Sequence, residues 1–283
     1  MLNFVFVDLQ SNAPPPPHPM SILIKPAYDA DASTYFTTAG VTSVAGRQQI
    51  SRFVTGIKDL GLWSSMVCWP LRSSQNAGTG TTAYSLGGLA TYNGTLLNSP
   101  SRVADGIQSD VNNKTISHNG GRDFGTDSFT FGACLKVETF GILTPFMGLY
   151  PSSASFAAYD ASISTSGVLD VLMRNNSTVG GTSRVTGGQF TANTFGFATA
   201  TRNNNVLSTF LNTSSNGTSS SLASGVNFTR TDIQSYILSR EENAVAHGLT
   251  TMAFAFLIKG QAISPSSLYT LYKTTLGQGL GLP

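Results

Sequence analysis

Few side chains in this 283-residue sequence can move protons or hold a metal, so their spacing decides which chemistries stay open. His18 lies in a proline-rich stretch, His118 beside Asn119-Gly120-Gly121 in a polar loop, and His247 just ahead of an apolar run. None stands at zinc-ligand spacing from another His or Cys. Asp105, Asp110, Asp123 and Asp127 fall in or beside loops and offer the oxygen ligands Ca²⁺ takes, but no spacing singles them out, and neither a cofactor nor a metal site is expected. There is no G-x-S-x-G elbow, no P-loop, and no G-x-G-x-x-G leading from a strand into a helix. Glycoside hydrolysis needs two carboxylates flanking one bond, about 5–5.5 Å apart for retention. Glu138, Glu241 and Glu242 are the only glutamates, no E-x-D-x-x-E run brings two of them to one strand face, and Glu241-Glu242 reads as a solvated strand end. On this reading the chain is not an enzyme.

Sugar recognition asks for less. Loops rich in Asn, Ser, Thr and Gly offer donors and acceptors to hydroxyls, and an exposed aromatic ring can lie against the apolar face of a pyranose. Tyr84, Tyr92, Tyr150 and Tyr159 sit near expected turns and are the candidate carbohydrate-binding residues; the plainer reading of each is a half-buried sandwich tyrosine. Trp63 and Trp69 bracket the passage from helix to sheet and read as core anchors.

The elements that must position these residues can be read from periodicity. Residues 1–30 form an extended arm, with a β-prone Phe4-Val5-Phe6-Val7 and the polyproline run Pro14 to Pro17. Residues 31–63 are helical: Ile50, Phe53, Val54, Ile57 and Leu60 recur at helical spacing, with Thr42 or Ser43 as N-cap and Gly61 as the stop. From residue 64 short runs alternate with Gly, Asn, Ser and Thr clusters. In Ser128 to Glu138 every second residue is apolar, which predicts a strand with one buried and one wetter face. Further strands are expected at 146–150, 155–159, 167–174, 194–201, 205–212, 233–239 and 250–258, with turns at Gly180-Gly181 and Asn216-Gly217. Ser264-Pro265 opens a last helix, with Leu268, Leu271, Tyr272 and Leu276 on its apolar face. The predicted fold is mainly β, a jelly-roll or β-sandwich over residues 64–283 with a short helical segment before it and a helix at its end.

Composition narrows the partners. Only 11% of residues are charged, against roughly 25% in an ordinary soluble domain, and the formal net charge is +2, so nothing marks a nucleic-acid footprint. Cys68 and Cys134 each sit in apolar runs and read as buried reduced thiols. The first residues lack a basic segment and a signal-length apolar stretch, and no run approaches the roughly 18 residues of a spanning helix, so neither secretion by that route nor membrane insertion is expected.

Two stretches carry a resemblance. Ile50 to Met66, with Ile57-Lys58-Asp59-Leu60-Gly61-Leu62-Trp63, followed by Trp69-Pro70, is similar to a helix-to-strand segment of bacteriophage virion proteins that carry a concanavalin A-like lectin/glucanase (LamG-like) domain. Met252-Ala253-Phe254-Ala255-Phe256-Leu257-Ile258, then Ser264-Pro265 and Leu268 to Gly277, looks like that fold's last core strand and following helix. The resemblance implies a structural virion component, made in the bacterial cytoplasm and displayed on the particle exterior. The first expectation is a tail-fibre or receptor-binding appendage that contacts host-surface polysaccharide, homo-oligomeric and joined to other virion proteins by residues 1–30. The alternative is a capsid decoration (cement) protein bound to the major capsid protein, and a polysaccharide-degrading enzyme comes after both.

Overall fold

Asp29 and Ser43 start the two N-terminal helices. In the computed structural model, which describes residues 27–76, 79–109, 114–122, 128–149, 158–174, 182–222, 234–239 and 248–283, the Asp29 carboxylate accepts from the backbone N–H groups of Asp31 and Ala32 at the head of α1 (Ala30–Thr38). The Ser43 hydroxyl accepts from the N–H of Gly46 at the head of α2 (Val44–Asp59). Each cap satisfies donors that a first helical turn leaves unpaired. Beyond α2 the chain turns through Gly61 at φ 69°, a conformation glycine adopts without a Cβ penalty. The helical segment is thus two helices, closed by a short 3-10 turn at Trp63–Ser65. The arm lies outside the described residues up to residue 26.

The strands, in chain order, are β1 (Met66–Pro70), β2 (Thr82–Ala83), β3 (Gly94–Leu97), β4 (Ser101–Val103), β5 (Gly106–Ser109), β6 (Thr115–His118), β7 (Ser128–Val137), β8 (Thr144–Leu149), β9 (Ala158–Ile163), β10 (Val168–Arg174), β11 (Thr182–Gln189), β12 (Gly196–Asn203), β13 (Val206–Leu211), β14 (Ser214–Ser219), β15 (Ser235–Ile237) and β16 (Thr250–Lys259). They make two eight-stranded antiparallel sheets. One runs β14-β13-β12-β7-β16-β5-β4, with β1 also beside β16; the other runs β11-β10-β9-β8-β15-β6-β3-β2. The β-sandwich expected from the sequence is the fold observed. α3 (Pro265–Thr274) closes the chain, with proline in its first turn.

Two hydrophobic layers hold this together. Between the sheets lie Trp69, Phe129, Phe131, Phe146, Ile163, Met173 and Leu257, among others. The second layer lies on the outer face of the β7/β16 sheet, where Phe197, Phe254 and Phe256 meet Ile50, Phe53 and Ile57 of α2 and Leu268 and Tyr272 of α3. Phe53 meets Phe254 edge-on at 5.6 Å, and Phe254 stacks on Tyr272 at 4.7 Å. Loss of the Phe254 ring from such a site would cost about 3–5 kcal/mol.

This helical layer corrects the expectation for residues 128–138. Phe129, Phe131, Ala133, Leu135 and Val137 do face the inter-sheet core. Thr130, Gly132 and Cys134 on the opposite face are buried too, because the helices cover them. Asn216-Gly217 is corrected likewise: it lies inside β14, at a register shift against β13, and the chain reverses at Asn212, whose φ is 58°. Cys68 and Cys134 are free buried thiols beneath the helices.

Candidate functional site

Of the four tyrosines proposed from the sequence, the structure describes Tyr84, Tyr92 and Tyr159, and these three do not form one surface. Tyr159 is fully buried in the inter-sheet core, its ring 4.9 Å from Phe131. Alternation on β9 points it inward, so it cannot lie against a sugar. Tyr150 falls outside the described residues, as do His18, His247, Glu241, Glu242, Asp110, Asp123 and Asp127. Asp105 pairs with Arg72 at 3.6 Å. Tyr84 and Tyr92 are half-buried, the first against the helical layer and the second against the inter-sheet core. The Tyr92 carbonyl accepts from the Trp69 indole at 2.9 Å, and its N–H donates to the Ser85 hydroxyl at 2.9 Å.

Between Tyr84 and Tyr92 the chain builds a cleft that sequence reasoning missed. Asp31, Thr34, Tyr35 and Thr38 of α1 recur at i, i+3, i+4 and i+7, which puts them on one helix face. That face, the Trp63 indole, and Ser85, Leu86, Gly87 and Thr91 line a cleft of about 260 Å³. Glycine is required at the loop: Gly87 has φ 141°, and a Cβ there would come within 2.2 Å of the Met66 carbonyl oxygen. At Gly88 a Cβ would fall 2.7 Å from the Trp63 ring. Trp63 packs against the helical hydrophobic layer and also lines this cleft, while Trp69 is fully buried between the sheets. The missed signal was the polar spacing in α1 just upstream of Trp63.

A charged triad borders the cleft. Lys58 Nζ donates to both Asp29 oxygens at 2.9 and 2.8 Å, approaches Asp31 Oδ2 at 2.6 Å, and stands 5.3 Å from the Trp63 ring centroid. Burial alone would raise the Asp29 pKa. The bonds from Lys58 and from the Ala32 and Asp31 N–H groups outweigh it and hold the carboxyl below its ordinary value. Lys58 is raised in turn by its bonds to Asp29 and Asp31.

A second polar cluster lies on the outer face of the other sheet. Strand register aligns Tyr236, Gly148, Asp160, Leu172 and Arg184 in one row across β15, β8, β9, β10 and β11. Asp170, one pleat away, is gripped by Arg184 through both oxygens, at 2.8 Å from Nε to Oδ1 and by a short bond from Nη2 to Oδ2, and it accepts from the Thr186 hydroxyl at 3.2 Å. Asp160 and Asp170 are diagonal neighbours on one face of adjacent strands, a relation that sets Cα atoms roughly 7–8 Å apart. Both are buried, at 7% and 6% exposure. The signal for this pair was a lone carboxylate at an outward position of an otherwise apolar alternation, once in Tyr159-Asp160-Ala161 and once in Leu169-Asp170-Val171.

His118 is no loop residue. It ends β6 with its ring inside the sandwich, 4.4 Å from Trp69, and burial drives its pKa down to about 3. Its Nδ1 accepts from the Gly120 N–H at 3.1 Å. A groove of about 560 Å³ between α2 and α3 is lined by Gly56, Leu60, Thr270 and Leu271, among others, with no aromatic ring in its lining. Among the described residues no group of three or more His, Cys, Asp or Glu could hold a metal, and no helix is long and apolar enough to cross a membrane.

Neither a family model nor a curated protein matches the chain. Solved structures do. Trypanosoma rangeli sialidase in complex with the inhibitor DANA aligns over 82% of this chain and 39% of its own, at 13% identity and a TM-score of 0.56. A mutant of the same sialidase displaying trans-sialidase activity aligns over 82% and 40%, at 14% identity and 0.52. The botulinum neurotoxin serotype D binding domain aligns over 76% and 53%, at 8% identity and 0.55. The chain spans about two fifths of the length of the sialidases it matches. These likenesses establish the lectin-type sandwich fold. They also overturn the expectation that the chain is not an enzyme: chains of enzymes contain this fold, and two carboxylates outside any single-strand motif, Asp160 and Asp170, stand on one face of the adjacent strands β9 and β10.

Proposed function

We propose that this chain is a glycan-contacting β-sandwich of a bacteriophage particle, a tail-fibre or receptor-binding appendage whose Trp63 cleft meets host-surface polysaccharide. The observation that carries the glycan reading is the cleft, whose lining combines one indole, several hydroxyls and a carboxylate, groups that can take a pyranose by its apolar face and its hydroxyl rim. Its 260 Å³ sits just below the range of about 300–1,000 Å³ for small-molecule sites, a size for one sugar unit of a longer chain. A sialidase in complex with sialic acid is among the fold neighbours, aligned over 80% of this chain and 39% of its own. The virion assignment is supported by the two resembling segments, which build α2, Trp63, β1, β16 and α3. In this reading residues 1–30 join the particle, and copies associate as a homo-oligomer on its exterior. Labelled protein should bind host cells saturably and be displaced by excess surface polysaccharide, with Trp63→Ala reducing binding at least tenfold. Retention on purified capsid shells without any cell binding would contradict the proposal in favour of a decoration protein.

A second reading is glycoside cleavage at Asp160 and Asp170. Their diagonal placement is compatible with the carboxyl separation of about 6.5–9.5 Å used by inverting enzymes. Release of new reducing ends from host polysaccharide, lost in Asp160→Asn, would support it; no release by folded protein would remove it.

A further inference from the structure

Three hydroxyls that line the Trp63 cleft already donate within the protein. Thr34 Oγ1 donates to the Ala30 carbonyl at 3.2 Å, Thr38 Oγ1 to the Thr34 carbonyl at 3.2 Å, and Ser85 Oγ to Asn93 Oδ1 at 3.2 Å. What these groups turn toward a ligand is lone pairs. The Asp31 carboxylate is an acceptor only. Lys58 at the rim is shared between Asp29 and Asp31, so that triad carries a net charge of −1.

From this we infer that the cleft selects donor-rich neutral or amino sugars and excludes acidic ones. The inference rests on the glycan-binding reading and adds to it the class of sugar. A hexose hydroxyl or a protonated amine brings the O–H or N–H donors that Thr34, Thr38, Ser85 and Asp31 lack. The carboxylate of a sialic acid would bring a second anion beside Asp31 and turn it toward the lone pairs of Thr34, Thr38 and Ser85, which costs binding through repulsion. The preference is therefore opposite in sign to that of a sialic acid site.

Saturation-transfer NMR of the full chain with methyl glucoside, glucosamine and N-acetylneuraminic acid tests this at low and at physiological salt. The expected result is transfer to the first two sugars, abolished in Trp63→Ala, and none to the third. Asp31→Asn, at a half-exposed side chain outside the hydrophobic layers, should weaken glucosamine at least threefold more than methyl glucoside. Trp63-dependent transfer to N-acetylneuraminic acid at equal strength would overturn the selectivity while leaving the glycan reading in place. Transfer to none of the three, from protein of native circular dichroism, would overturn the glycan reading itself.

Discussion

Single residues in this protein are set by which face of a strand or helix they occupy. His118 shows the consequence for a polar group. Alternation puts His118 inside, where burial holds its pKa near 3 against an ordinary value of 6.5. An unfolded chain binds a proton at this site between those values and the folded one does not, so the ring contributes stability above pH 6.5 that is lost as pH falls toward 3. The loss at the acid end is on the order of a few kcal/mol. In His118→Asn, which keeps a side-chain acceptor for the Gly120 N–H, the fall in melting temperature between pH 6.5 and pH 4 should be clearly shallower than in the parent. An identical slope would show that other groups set acid sensitivity. The chemistry of the cleft was only partly legible at this scale. Tyr84 and Tyr92 flank the loop of the cleft, whose aromatic lining is Trp63, a residue that also packs on the helical hydrophobic layer.

Elements were easier to read than the faces they present. The stripe Ile50, Phe53, Val54, Ile57 and the period-two run of β7 each identified their element, because both periods are properties of the backbone. Neither could say that the two would pack together and bury both faces of β7, since that depends on which sheet face the helices choose. β2 to β6, β11 and β14 went unread because they are short or polar and take their stability from neighbouring strands. The close fit of β7 and β12 gives a prediction at this scale. A Cβ on Gly132 would stand 2.2 Å from the Ala198 carbonyl oxygen and 2.9 Å from the Phe256 ring. Backbone cannot yield as a flexible side chain can, so Gly132→Ala should destabilise the fold by about 1–3 kcal/mol, measured as a lower denaturation midpoint with an unchanged slope. An unchanged midpoint would mean that the sheet absorbs the methyl group.

At the scale of the whole molecule, helices seal one outer face of the sandwich, and the cleft opens at the seam between α1 and the 85–91 loop. Burial of the thiols follows from that architecture: it pushes Cys134 up to about 12 and raises Cys68 as well. Neither should react with a disulfide reagent in the native protein, and both should react on unfolding; fast native labelling would mean that the helical layer opens. The same architecture makes the two tryptophans unequal. Trp69 is fully buried, while Trp63 lines the cleft. Acrylamide quenching of intrinsic fluorescence, with and without saturating host-surface polysaccharide, is therefore the most direct test that the Trp63 cleft is where glycan binds. The account predicts a quenchable component, due to Trp63, that bound polysaccharide protects. Polysaccharide that co-sediments with the protein yet leaves quenching unchanged would place the contact elsewhere and contradict it.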